Sequence, residues 1–235
     1  MAEALKLGFE AFSTPAKGVL ILLCEEGLKL GPASRRILTP TGDLLQRAAA
    51  ADRFTGKSGS ALELVAPAQL SASRLVVLGV GKAGKFKAQD FVKLGGAAMG
   101  RVPSSATEAT IVAEFASGAL KPDQAAALAQ GVLLRAYRFD RYKTKRKEGD
   151  EPPAVTKVTI AVGNVGAARQ AWAVREGLVE GVTIARDLIN EPANVLYPAE
   201  FARRAGTLKK LGVSVDVLDV AAMKKLGMNA LLAVG

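Results

Sequence analysis

Apolar residues recur through residue 162 in two alternating rhythms. Short runs rich in Val, Ile and Leu at 5–12, 19–24, 61–66, 74–79, 109–115 and 155–162 are bounded by Gly or Pro and predict strands. Between them, 42–52, 87–101 and 123–139 carry Ala-rich helical spacing, the last entered through Pro122, a residue suited to a first helical turn. The alternation predicts an α/β fold, a layered mixed sheet flanked by helices.

The longest helical pattern lies in WAVREGLVEGVTIARDLINEPANVLYP, residues 172–198. Val174, Leu178, Val182, Ala185 and Ile189 share one face and predict a buried stripe, while Arg175, Glu176, Glu180, Arg186 and Asp187 take the other. Pro192 cannot continue the helix and biases Glu191 away from the α region, so the helix should stop near Asn190. Pro198 then opens another. Residues 163–168, with one Asn and two glycines, loosen the chain ahead of the long helix. These breaks divide the sequence into a domain at 1–165, a connecting helix at 166–190 and a second unit at 191–235. After Pro198 the pattern predicts a helix, a strand at 213–218, a short helix at 221–226 and an apolar run at 230–234. So short a segment cannot form its own core, which predicts the opening of a larger α/β domain.

Composition adds exclusions. Hydrophobic content of 49% with 24 Gly suits a globular protein, and the longest apolar run, 19–24, is too short for a bilayer. Glu3, Lys6 and Glu10 stand where a signal peptide needs apolar residues, so a cytoplasmic address and no membrane partner are expected. Cys24 is the single cysteine, which rules out an intrachain disulfide and reads as a buried core residue. There is no histidine, hence no Ser-His-Asp triad, no Cys-His pair and no H-E-x-x-H zinc site. The net charge is +10, and residues 135–147 hold seven basic side chains against one acid, a local +6 that leaves +4 for the remainder.

Two stretches carry candidate chemistry. Gly79, Gly81 and Gly84 follow the strand RLVVL and match G-x-G-x-x-G, the phosphate loop of dinucleotide sites. The context departs from that site twice: Lys85, Phe86 and Lys87 delay the helix, and Glu114 comes too late for the ribose acid. A plain glycine turn is the other reading. Arg135, Arg138, Arg141, Lys143, Lys145, Arg146 and Lys147 interleave with Tyr137, Phe139 and Tyr142. That composition either grips phosphates and stacks on bases, or forms the solvated end of a helix whose cations complement its dipole. Asp216 and Asp219 do not make a metal site, Asp219 being placed to cap a helix. Asp187 and Glu191 read as solvated charge, and Ser58 and Ser60, lacking a base, as turn residues.

The segment RDLINEPANVLYPAEFA resembles the join between the N-terminal and catalytic domains of the cytosolic leucyl aminopeptidase family, dinuclear-metal exopeptidases; YRFDRYKTKRKE is similar to a second family segment. The resemblance implies a macro-domain-like N-terminal domain, removal of N-terminal Leu and other large apolar residues from peptides, two divalent ions (Mn or Zn), a hexamer, and DNA as a further partner, since some bacterial members bind it. The family's metal ligands and catalytic residues belong to a later part of its catalytic domain, and no N-T-D-A-E-G-R-L motif occurs in this sequence. No residue here is therefore expected to be catalytic or to bind metal, and this chain is expected to be inactive alone, to hold no cofactor and to aid assembly. Two rivals stand beside this reading: a standalone α/β module binding a phosphate-bearing ligand, and a nucleic-acid adaptor using 135–147.

Overall fold

The computed structural model describes residues 5–145 and 155–234. It divides into two compact units, Met1–Ile184 and Ala185–Gly235.

The first unit is built on a sheet ordered β1-β9-β6-β2-β5-β4: β1 (Lys6–Ala11), β2 (Val19–Glu25), β4 (Ala61–Val65), β5 (Arg74–Gly81), β6 (Glu108–Val112) and β9 (Lys157–Val162). A short β3 (Lys29–Leu30) pairs with β2. The main pairings are parallel except β4 with β5. Val19 to Cys24 are all fully buried, as a central strand covered on both faces requires. Alternate side chains feed two cores. Leu20, Leu22 and Cys24 meet α1 (Pro32–Leu38) and α2 (Leu44–Asp52) on one face. Val19, Ile21 and Leu23 meet α3 (Ala88–Met99), α4 (Pro122–Ala136) and α5 (Val165–Asn190) on the other. Burial pushes the Cys24 thiol up to about 11, with the neighbouring Glu25 charge adding to it, so the thiol is a packing group and not a nucleophile.

α3 and α4 pack closely through two glycines. A Cβ on Gly95 would stand 1.9 Å from the Leu128 carbonyl oxygen, and one on Gly131 would stand 1.9 Å from that of Val92. Only hydrogen fits at either place, so two glycines set the distance between the helices.

Several sequence expectations need correction. The 109–115 strand breaks at Ala113 into β6 and a two-residue β7 (Glu114–Phe115), which pairs with β8 (Gly118–Ala119). A helix that the sequence pattern did not predict, α1, starts at Pro32, with proline at its first position. Residues 163–168 do not loosen the chain: Asn164 Oδ1 accepts from the Ala167 N–H at 3.0 Å and caps α5, which begins at Val165.

The stripe expected to be buried on α5 faces outward. Val174 is 82% exposed, Leu178 54% and Ile189 84%. Ala168, Trp172 and Val179 are the buried residues, with the Trp172 ring 6.3 Å from that of Phe9 and Arg175 Nη1 donating to Gln130 Oε1 at 2.7 Å. The largest side chain selected the packed face over the more regular aliphatic row.

In the second unit, α6 (Pro198–Ala205) starts at Pro198 as expected, and α7 (Val220–Lys225) is capped by Asp219, whose Oδ1 accepts from the Ala222 N–H at 2.7 Å. The apolar run at 230–234 forms a short α8 (Asn229–Leu232). Residues 213–218 are not a strand: their Val-x-Val-x-Val alternation suits one, but no described strand pairs with them. Among the described residues, no apolar side chain beyond Val179 is buried.

Glu191 corrects another expectation. Its side chain is fully buried instead of solvated, 3.3 Å from Arg204 Nη1, and Arg204 Nε also donates to Glu200 Oε1 at 2.8 Å. Hydrogen bonds from Arg203 first, and Arg204 next, hold the Glu200 carboxyl down to about 2, against an ordinary 4.5. A value lowered by folding means that the stabilising contribution is complete above the ordinary value and is lost as pH falls through about 2. A carboxyl NMR titration should therefore place the Glu200 midpoint near 2, and in R203A it should move up toward the ordinary range.

Candidate functional site

β5 ends in the glycine motif, and a 3-10 turn at Ala83–Lys85 separates it from α3, so the helix opens late, as its spacing predicted. The Gly79 N–H donates to the Ser60 carbonyl at 2.7 Å and the Gly81 N–H to the Gly56 carbonyl at 2.9 Å. A Cβ on Gly79 would stand 2.2 Å from the Lys57 carbonyl oxygen, whereas Gly84 faces open space. The first two glycines thus admit the 56–60 loop, and their amides are committed within the protein. That is the arrangement of a structural turn, not of a backbone cradle for pyrophosphate.

Beside this turn lies a cleft of about 540 Å³, lined by Glu26, Ser58, Gly81, Lys82, Lys85 and Phe86 and by Asp90 and Lys93 of α3. Asp90 Oδ2 accepts from the Lys87 N–H at 2.9 Å and Oδ1 lies 3.5 Å from Lys93 Nζ. The backbone hydrogen bond, more than Lys93, holds its carboxyl below the usual range. Lys82 and Lys85 form no ion pair with the described residues.

The basic stretch is partly folded on itself. Arg135 occupies the last turn of α4, where a cation complements the helix dipole. Asp140 gathers Arg138 Nε and Lys143 Nζ, each at 3.0 Å, and Lys143 foremost keeps its carboxyl below the usual range. The Arg141 guanidinium stands 5.7 Å from the Phe139 ring centroid, and Lys145 is exposed. Arg146 and Lys147 lie outside the described residues.

Glu114, fully buried, is a structural carboxylate that motif reasoning considered only as a ribose acid. It accepts from the Ala33 N–H at 3.2 Å and the Ser34 N–H at 2.5 Å, satisfying the start of α1. Its partners lie about eighty residues away in sequence, and no local signal marks them. Among the described residues, no three His, Cys, Asp or Glu side chains converge as metal ligands would, so these residues do not fit a dinuclear centre. No described helix is long and apolar enough to cross a membrane.

The sequence profile of the cytosol aminopeptidase family's N-terminal domain matches residues 21–146. The chain belongs to the cytosol aminopeptidase family. That family's catalytic-domain profile matches residues 183–235. Probable cytosol aminopeptidases of Afipia carboxidovorans and Nitrobacter winogradskyi are 55% and 53% identical over all of this chain, which spans 47% of either relative. The chain therefore spans about half the length of the curated relatives it matches. A tomato leucine aminopeptidase mutant shares its fold, with a TM-score of 0.79 and 24% identity over 97% of this chain and 47% of that one. The bottromycin maturation enzyme BotP, in complex with Mn, superposes at 0.66 with 25% identity over 93% of this chain and 42% of its own. The family and the α/β architecture expected from the join segment and the strand–helix alternation both hold.

Proposed function

We propose that this chain is part of a metal-dependent leucyl aminopeptidase, a two-metal hydrolase removing N-terminal Leu and other large apolar residues from peptides. In this reading, residues 1–165 are its N-terminal domain, 166–190 its connecting helix and 191–235 the opening of its catalytic domain. The carrying observation is the handover between family profiles: the catalytic one begins at residue 183, inside α5, where one compact unit gives way to the other. In this reading the two ions, Mn or Zn, are held by residues of the catalytic domain. The Mn in the BotP complex supports a metal of that class. Residues 1–235 then contribute position and assembly, in a cytoplasmic hexamer.

The gene product at its native length should release p-nitroaniline from leucine p-nitroanilide with Mn or Zn, lose that activity to a chelator and regain it on metal addition. Sedimentation velocity should show a hexamer. Absence of turnover with either metal would overturn the peptidase reading, and a monomer would overturn the assembly.

A further inference from the structure

The connections of the sheet part between β2 and β5. β2 and β5 are parallel neighbours, but β2 leads to α1 on one face and β5 leads to α3 on the other. Connections that part in this way leave a gap beyond the carboxyl ends of the strands, the place where open α/β sheets take ligands. Glu26, which follows β2, and Lys82, which follows β5, both line the 540 Å³ cleft, although the Glu26 N–H donates to the Gly81 carbonyl at 3.1 Å and so bridges the two strand ends.

Its lining is chemically divided. Lys82, Lys85 and Lys93 supply three cations against the two carboxylates Glu26 and Asp90. Asp90 already serves the Lys87 amide and Lys93, whereas Lys82 and Lys85 form no ion pair with the described residues. Ser58 adds a hydroxyl from the facing loop, and Leu78, Phe86 and Leu94 form an apolar wall. The amides of Gly79 and Gly81 are spent inside the protein, so an anion here depends on the lysine ammonium groups. A cleft of this size, whose lining combines two ammonium groups outside any ion pair with the half-buried Phe86 ring, matches a ligand that carries both a charged group and a flat apolar one.

We propose that this cleft binds a phosphorylated small molecule carrying a planar ring, of the nucleoside diphosphate class, with Lys82 and Lys85 on the phosphates and Phe86 and Leu94 against the ring. The proposal goes beyond the peptidase reading and stands apart from it, because neither its residues nor its test involves peptide hydrolysis.

Calorimetric titration of the 235-residue protein at low salt with ADP, adenosine and inorganic phosphate tests it. ADP should bind, with adenosine and phosphate each weaker by at least about tenfold, and the double variant K82E/K85E should lose at least about tenfold in ADP affinity with an unchanged melting temperature. Binding should weaken as salt screens the lysines. No heat with ADP at millimolar concentration would overturn the proposal. So would equal affinity for adenosine, equal affinity for phosphate alone, or ADP binding unmoved by the double variant.

Discussion

G131A should lower the melting temperature of this chain, whereas G177A, a chemically identical change in another helix, should raise it slightly. Alanine is favoured over glycine within helices by about 1 kcal/mol, so propensity alone makes both changes stabilising. At Gly177 nothing lies within 4 Å of the added methyl, and the propensity gain should stand. At Gly131 the methyl would stand 1.9 Å from the Val92 carbonyl oxygen, in the backbone of the facing helix, where no rotamer change relieves it. Moving α3 and α4 apart opens the core that Leu94, Ala98, Leu128 and Val132 fill. Overpacking of this kind costs about 3 kcal/mol, or a fall of roughly 6–12 °C for a domain of this size. Differential scanning calorimetry of the two variants measures the opposition in sign. A G131A protein as stable as the parent would mean that the helices do not approach through their glycines.

E114A should cost a comparable amount by a different route. The carboxylate is buried and receives two backbone amides at the first turn of α1, groups that have no partner within the helix itself. Truncation leaves both amides without an acceptor and opens a void beneath Gly31. Each buried donor left unpaired costs about 1–3 kcal/mol, so a loss of roughly 3 kcal/mol is expected. E114Q keeps one acceptor oxygen but turns an NH2 toward the second amide, and should fall between. Hydrogen exchange distinguishes this from general weakening: in E114A the amides of Ala33 and Ser34 should lose protection first, with those of β2 retaining theirs. Uniform loss across the sheet would contradict the local role.

These two sites show what the chain displays in its order of residues and what it hides. The strands at Val19–Glu25 and Arg74–Gly81 are legible because burial on both faces demands an unbroken aliphatic run, a requirement stated within each segment. The helix ends at Asn190 and Pro198 are legible for the same reason, since capping and proline geometry are local. Glu114 is not, because its partners at Ala33 and Ser34 are joined to it only by the fold. The exposed row Val174, Leu178 and Ile189 misled because periodicity identifies an apolar face but not which apolar face meets the core; Trp172 and Val179 hold that contact. Residues 213–218 misled because alternation describes one strand while a sheet needs two. The cleft was half legible. Gly79 to Lys85 drew attention as a motif, but Glu26, Ser58 and Lys93 reach it from three other segments.

In the proposed function these residues position a peptidase without containing its metal centre. The most direct test is hydrolysis of leucine p-nitroanilide by the pure 235-residue chain with Mn or Zn, run beside the gene product at its native length. The account predicts no turnover above buffer for the former and chelator-sensitive turnover for the latter. Sustained, metal-dependent release of p-nitroaniline by the 235-residue chain alone would contradict it.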